Sequence, residues 1–331
     1  MKSAGRNELL TLEETAALIR EGEVLSIAGA EALLDRLPAG AWVGGTSHYF
    51  LTSEGAIKTA EKIFVTRLPA GLTARIEYYP AGTLHRLVDE APDNGFSLVV
   101  IPTASDALQQ FSEQGRFWHD IFLKPVIGWV SGIDLEQLGR QRAAIYHGPS
   151  KRRLRDGAVV MQVSLPDDLL AAIEAVNIFE PDRRYVLRFP RTASSVTDCT
   201  VNGQPRRLAD FLVEQGNGEG RLPMIGNFAG ARVNVSCQSI DVTNGRVQLY
   251  APVFPDVEYF LARPLSDYVA HLAGEMDKRG GRDVWFSCVC VRNYLHGELE
   301  GRRTGSLQGP GSFGEIAYQL HNQTLVALTI G

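Results

Sequence analysis

The chain has 331 residues, of which 44% are hydrophobic and 21% are charged, and these proportions are typical of a globular protein. Its formal net charge of -5 excludes the basic field that non-specific binding to nucleic acid or to a membrane surface requires. We therefore expect neither of these partners. A chain of this length is expected to divide into two domains.

The cysteine content and the hydropathy pattern indicate a cytoplasmic protein. Four cysteines are too few for a secreted disulfide framework and are typical of a reducing compartment. No apolar stretch reaches the ~18 residues that span a bilayer. The chain starts with MKSAGRNELLTLEETAALIREG, which has the pattern of an acidic amphipathic helix rather than of a signal peptide.

Residues 1–40 predict an N-terminal helical segment. The stretch LTLEETAALIREG has apolar residues at helical spacing and ends at Gly22. A second helix is predicted in GAEALLDRLPAG, where Pro38 ends it. Residues 41–192 then predict the first of two domains.

This first domain begins with AWVGGTSHYF, which predicts a strand that breaks at a glycine pair ending in Gly45. Thr46, Ser47 and His48 follow and offer hydrogen-bond donors and acceptors at the strand end. Both the lining of a ligand pocket and a plain turn are consistent with this pattern.

Strands and helices then alternate in the rest of this domain. FSLVVIP predicts a strand buried on both faces, and TASDALQQF predicts a helix with Ser105 as its N-cap.

Residues 193–331 predict a second domain with more strand. Its strand candidates include VWFSCVCVRNYL and TLVALTI, and two Asn-Gly turns favour hairpins. Glycine-broken segments occur late in each half, in VIGWVSGID and GPGSFGEIA, and they favour a duplicated unit. We therefore predict an α/β (α+β) fold of two related halves, with mixed sheets packed together and helices on the outer faces.

The stretch VWFSCVCVRN is the most distinctive local pattern. Alternation along a strand puts Cys288 and Cys290 on one face, at a separation too long for a disulfide between them. Buried cysteines are most often part of the core, and the alternatives are a soft metal or haem ligand and a reactive thiol. A nucleophilic thiol needs a base such as His321 and a cation such as Arg292 nearby.

The last twenty residues concentrate polar groups ahead of an apolar run. GEIAYQLHNQT carries Glu315, His321, Asn322 and Thr324, and LVALTIG follows. An exposed apolar strand promotes aggregation, so we expect the terminal run to pair within a sheet and to hold the polar segment at its entrance. A small-molecule pocket and a hydrogen-bonded structural corner are both consistent with this arrangement.

The order of these motifs resembles that of FIST domains, named for F-box and intracellular signal transduction proteins. VWFSCVCVRNYL followed by GSFGEIAYQLHNQTLV is similar to their C-terminal signature. WVGGTSHYF and PVIGWVSGIDL look like parts of their N-terminal domain. The spacing from Cys288 to Arg292 is one residue longer than in that signature.

The resemblance implies a sensory protein that binds a small ligand, such as an amino acid, rather than an enzyme. We expect a pocket between the two halves, no output domain, and a signalling protein as partner. Arg292 is expected to pair with a ligand carboxylate, because a guanidinium matches that planar group. The alternatives are a haem-binding gas sensor, an interaction scaffold and a cysteine-dependent hydrolase; apart from haem, no cofactor or metal is expected. The predicted ligand-binding residues are Gly45, Thr46, Ser47, His48, Cys288, Arg292, Glu315, His321, Asn322 and Thr324.

Overall fold

The structure is a computed structural model that describes residues 7–277, 284–303 and 307–331. Seven α-helices lie within these ranges. They are α1 (Leu12–Arg20), α2 (Glu31–Leu34), α3 (Arg86–Asp89), α4 (Asp106–Gln114), α5 (Leu208–Glu214), α6 (Tyr268–Asp277) and α7 (Val291–His296).

The same ranges contain 27 strands. Up to residue 164 these are β1 (Asn7–Leu10), β2 (Leu25–Gly29), β3 (Trp42–Thr46), β4 (Tyr49–Thr52), β5 (Gly55–Lys58), β6 (Ile63–Arg67), β7 (Thr73–Tyr79), β8 (Gly95–Pro102), β9 (Val126–Ser131), β10 (Ile145–His147), β11 (Arg152–Leu154) and β12 (Ala158–Ser164). The others are β13 (Ala171–Val176), β14 (Leu187–Arg188), β15 (Ala193–Val196), β16 (Asp198–Val201), β17 (Gln204–Arg207), β18 (Met224–Phe228), β19 (Ala231–Val235), β20 (Cys237–Asp241), β21 (Arg246–Val253), β22 (Glu258–Leu261), β23 (Val284–Cys290), β24 (Gly309–Ser312), β25 (Glu315–Ala317), β26 (Gln319–His321) and β27 (Leu325–Ile330).

Two six-stranded sheets are built mainly from the first half of the chain. Their strand orders are β1-β6-β2-β3-β10-β11 and β26-β25-β9-β8-β12-β7, so a C-terminal hairpin extends the second sheet. The pairs β2–β3 and β8–β9 are parallel. The sheets approach closely at Gly45, where a Cβ atom would lie 2.7 Å from Ser131 Cβ and 2.8 Å from Val100 Cγ1. Gly45 therefore allows the two sheets to pack.

The third six-stranded sheet combines strands from both predicted domains. Its order is β13-β27-β23-β24-β4-β5, and Pro310 of β24 is opposite Phe50 of β4. Two further sheets, β17-β16-β14-β22-β18-β19 and β15-β21-β20, belong to the second half. The mixed sheets with several helices confirm the predicted α+β class.

The N-terminal segment contains strands as well as the predicted helices. Thr11 and Glu14 cap α1 reciprocally, with Glu14 N donating to Thr11 Oγ1 at 3.3 Å and Thr11 N donating to Glu14 Oε2 at 2.8 Å. The five residues LSIAG form β2 and are all buried. An apolar run this short suits a buried strand better than a helix.

Gly128 gives a direct test of how closely β8 and β9 pack. A Cβ atom at this position would overlap Val99 O of the neighbouring strand. We expect Gly128→Ala to lower the free energy of unfolding by more than ~2 kcal/mol, because backbone atoms must move apart. Urea unfolding followed by circular dichroism measures this. Gly82→Ala is the control, since no atom lies within 4 Å of its added Cβ; equal stability of the two variants would contradict the packing.

Candidate functional site

The end of β3 and the turn after it carry the first group of predicted site residues. Thr46 is 2% exposed, and its Oγ1 accepts a hydrogen bond from Ala144 N at 3.0 Å. Ser47 Oγ donates to Gly311 O at 2.8 Å, which ties this turn to the C-terminal segment. His48 is half-buried, and its Nδ1 has no hydrogen-bond partner among the described residues. Thr46 and Ser47 therefore hold the backbone around His48.

Glu315 lies at the centre of a buried polar corner in the C-terminal segment. Its side chain is fully buried, and Oε1 accepts a hydrogen bond from Ser312 Oγ at 2.6 Å. Oε2 accepts from Thr324 N at 3.1 Å and from Thr324 Oγ1 at 2.8 Å. The Cys290 thiol lies close enough to the same carboxyl group to affect its pKa. Within the described ranges, no cationic side chain forms an ion pair with Glu315.

Burial without a cation changes the titration of this carboxyl group. It raises the pKa of Glu315 to about 7, although the hydrogen bonds from Ser312 and Thr324 act in the opposite direction. Glu315 therefore changes its charge near neutral pH while it remains inside the fold.

The next two predicted residues are also buried. His321 is 5% exposed, and its Nε2 donates to Ala317 O at 3.3 Å. Burial lowers the pKa of His321 to about 4, so the imidazole is neutral at physiological pH. Asn322 is 1% exposed and donates from Nδ2 to His321 O at 3.0 Å. The bond from His321 joins the two strands of the β25–β26 hairpin, and Asn322 lies in the turn before β27. His321 Nδ1 and Asn322 Oδ1 are buried without a hydrogen-bond partner among the described residues.

Gln323 connects this turn to a loop of the second half. Its Nε2 donates to Arg221 O at 3.1 Å, and its Oε1 accepts from Ser236 Oγ at 2.7 Å. Gln323 therefore fixes the position of the loop that contains Arg221.

Cys288 lies in the core between β23 and the second sheet. It is 1% exposed, and its Sγ donates to Gly128 O at 3.4 Å. Burial raises the pKa of Cys288 well above its ordinary value, which favours the neutral thiol. All four cysteines are free, so the prediction that Cys288 and Cys290 do not pair is confirmed.

The stretch that follows Cys290 is a helix, and its prediction as a continuing strand was wrong. Strand β23 pairs with β27, whose first residue, Leu325, is opposite Val289. Residues after Cys290 therefore have no partner strand on that side. Val291 and Tyr294 are both buried at helical spacing, which is the pattern of a helix packed on one face.

Helix α7 places Arg292 against the sheets of the second half. Its Nη2 donates to Gly220 O at 2.7 Å, and its Cζ lies 5.5 Å from the centre of the Tyr250 ring. The side chain is half-buried, and Nε is buried without a hydrogen-bond partner among the described residues. Nor does any described carboxylate pair with this guanidinium. Burying a charge without a counter-ion is costly, so this arrangement is unusual for a purely structural arginine.

Two further basic side chains lie within electrostatic reach of Arg292. Burial lowers the pKa of His296 to about 4, and the positive charges of Arg292 and Arg221 lower it further. Arg221 pairs with Glu219 at 2.9 Å, and both of these side chains are exposed. The guanidinium of Arg292, which no described carboxylate pairs with, is therefore the positive charge here that attracts an anionic group.

The two sides of α7 contact different parts of the fold. Residues two positions apart on a helix point about 200° apart. Arg292 faces Gly220 and Tyr250, whereas Tyr294 packs edge-on against Tyr49 with ring centres 5.2 Å apart. The structure therefore brings Glu315, Thr324 and their hydrogen-bond partners together. It puts Arg292 on one side of α7 and Tyr49, the residue after His48, on the other side.

Sequence reasoning missed most of the surroundings of Arg292. His296 is one turn after Arg292, and this spacing would have been visible had α7 been recognised as a helix. Gly220 and Tyr250 come from distant loops and strands, and no local pattern in the sequence connects them to Arg292.

Other features of the described residues bear on the class of site. No group of three or more His, Cys, Asp or Glu side chains among them is placed to hold a metal ion. None of the described helices has the length and apolar character needed to cross a membrane. A cleft of about 720 Å³ opens between β1 and the β4–β5 hairpin, and none of the predicted ligand-binding residues lines it.

Comparison with known proteins gives a family but no activity. A search of curated proteins finds no match. The sequence profile of a family of unknown function, DUF6976, matches residues 10–331. The resemblance to FIST domains stays a prediction. The match covers nearly the whole chain, and the protein therefore belongs to the DUF6976 family.

Proposed function

We propose that the protein binds a small molecule with a carboxylate group at Arg292. The observation that carries the proposal is a half-buried guanidinium that lacks a carboxylate partner among the described residues and keeps a buried, unpartnered Nε–H. A guanidinium has five N–H donors in a planar fork, and this geometry matches a carboxylate. An amino acid or a dicarboxylic acid has the required group.

The surroundings of Arg292 support an anionic ligand. Tyr250 lies against the guanidinium and Gly220 O accepts from Nη2, so two contacts fix the orientation of the fork. Arg221 lies nearby but is paired with Glu219, so the positive charge offered to a ligand is that of Arg292 itself. Because burial keeps His296 neutral above its pKa of about 4, affinity for the carboxylate should be nearly constant across neutral pH.

A thermal-shift screen tests the proposal. We would compare the amino acids, acetate and succinate with their amide analogues, because an amide keeps the shape and removes the charge. A ligand at a hundredfold excess over its Kd adds about 2.7 kcal/mol of stability. We expect carboxylates to raise the Tm of the wild type and the matched amides to leave it unchanged.

Substitutions of Arg292 test whether the Tm increase comes from binding at this residue. Arg292→Gln should abolish the Tm increase, and Arg292→Lys should retain only part of it, because lysine keeps the charge but not the fork. Exposed Arg140→Gln is the control and should behave like the wild type. A Tm increase that survives in Arg292→Gln, or no increase with any carboxylate, would overturn the proposal.

The sensory role, the signalling partner and haem binding stay predictions. A cytoplasmic location is supported by four cysteines that remain free and buried, as is typical of a reducing compartment.

A further inference from the structure

A second polar cluster lies on the opposite side of α7 and is independent of Arg292. We call it the His48 corner, and it consists of His48, Tyr49, Lys58, Asp134 and Tyr294. Its residues come from the turn after β3, from the ends of β4 and β5, from the segment after β9, and from α7.

The Lys58 ammonium shows what chemistry this corner accommodates. Lys58 Nζ lies 2.9 Å from Asp134 Oδ1 and 2.6 Å from a Glu136 carboxylate oxygen. The same ammonium lies 5.9 Å from the centre of the Tyr49 ring. A protonated amine is therefore already held here by carboxylates and an aromatic face, which are its usual partners.

Asp134 retains hydrogen-bonding capacity after these contacts. Its Oδ1 accepts from Lys58, from Tyr49 OH at 3.3 Å and from Glu136 N at 3.1 Å. All of these contacts reach Oδ1, so Oδ2 has no donor among the described residues. The Asp134 side chain is 20% exposed.

Tyr294 supplies an independent sign that a ligand belongs here. The residue is 3% exposed, and its hydroxyl is buried without a hydrogen-bond partner among the described residues. Its ring packs against Tyr49, and the charges of Lys58 and Glu300 both act on its hydroxyl. A buried hydroxyl without a partner costs free energy unless a ligand or water completes it.

His48 adds a second unpartnered atom with the same capacity. Its Nδ1 is buried and accepts a hydrogen bond when Nε2 carries the proton. Burial lowers the pKa of His48, so the imidazole is neutral at physiological pH. The net charge around the corner is negative, because three carboxylates surround one ammonium group. The carboxylates are Asp134, Glu136 and Glu300, and the ammonium is that of Lys58.

We propose that the His48 corner binds a small ligand with a protonated amine, whose N–H groups donate to Tyr294 OH, His48 Nδ1 and Asp134 Oδ2. Each of these atoms can accept a hydrogen bond, His48 Nδ1 when the proton is on Nε2, and the charge balance favours a cation. This site does not depend on the carboxylate proposal, because its residues and its ligand class are different.

Titration calorimetry near neutral pH with diaminobutane, and with butanediol as its neutral isostere, tests the inference. We expect heat of binding with the diamine and roughly tenfold weaker binding or none with the diol. Tyr294→Phe and Asp134→Asn should each weaken binding of the diamine by roughly tenfold. Both substitutions preserve shape, so circular dichroism should show an intact fold.

Two controls separate this site from other effects. Tyr146→Phe removes a hydroxyl from an equally buried tyrosine, where it donates to Asp35, and should bind the diamine like the wild type. Arg292→Gln should also leave amine binding unchanged. Absence of diamine binding to the wild type would overturn the inference, and so would binding that neither Tyr294→Phe nor Asp134→Asn weakens.

Discussion

Glu315→Gln should lose stability more steeply than the wild type when the pH falls from about 7 to about 4.5. Burial raises the pKa of Glu315 from its ordinary 4.5 to about 7, so the folded chain takes up a proton at higher pH than the unfolded chain. This uptake favours the folded state progressively across that window and is worth ~3 kcal/mol at its lower end. Glutamine does not titrate and loses this contribution.

Two histidines lower the free energy of unfolding on acidification, so the opposite contribution of Glu315 can be measured against them. Burial lowers the pKa values of His321 and His296 to about 4, so the unfolded chain binds protons first and acidification below pH 6.5 destabilises the fold. In the wild type Glu315 offsets part of this loss, and Glu315→Gln lacks that contribution. Urea unfolding at several pH values measures the difference. Exposed Glu298→Gln is the control, and parallel pH profiles for Glu315→Gln and wild type would contradict the titration of Glu315.

Trp285→Ala should be among the most destabilising substitutions in the chain. Trp285 is fully buried, its ring centre lies 5.0 Å from that of Phe96, and its Nε1 donates to Arg67 O at 2.8 Å. Removal of the indole leaves a cavity and an unpaired carbonyl, with an expected loss of about 3–5 kcal/mol. Because Phe96 and Arg67 belong to the first half and Trp285 to the second, we expect one cooperative unfolding transition to move.

Urea unfolding followed by far-ultraviolet circular dichroism gives this value. Phe117→Ala is the comparison, since Phe117 is 65% exposed and its loss should cost within about 1 kcal/mol. A Trp285→Ala variant as stable as Phe117→Ala, or a transition that splits into two, would show that β23 does not join the two halves.

Local signals in the sequence predicted several elements correctly. Ser105 accepts a hydrogen bond from Leu108 N at 3.1 Å and begins α4, as its position predicted. The terminal run forms β27, which pairs on both sides with β13 and β23. Both predictions needed only nearby residues, a cap in one case and an apolar run in the other.

Long-range pairing was not accessible in the same way. The partnership of β4 with β24 joins residues far apart in sequence, and no turn or spacing indicates it. The end of β23 at Cys290 depends on where β27 begins, so the local pattern of VWFSCVCVRNYL could not distinguish a strand from α7. The expectation that Arg292 binds a ligand came from its guanidinium and from the resemblance to FIST domains, and it stays a prediction. Gly220 and Tyr250 became neighbours of Arg292 only through the fold.

The most direct test of the central claim is the Nε–H resonance of Arg292 in ¹⁵N-labelled protein, assigned by its disappearance in Arg292→Lys. Nε is buried without a hydrogen-bond partner among the described residues, so a bound carboxylate must change its surroundings. We predict a saturable shift of this resonance when succinate or glutamate is added, and no shift with the matched amides. A resonance that does not move at saturating carboxylate would contradict the binding of a carboxylate at Arg292.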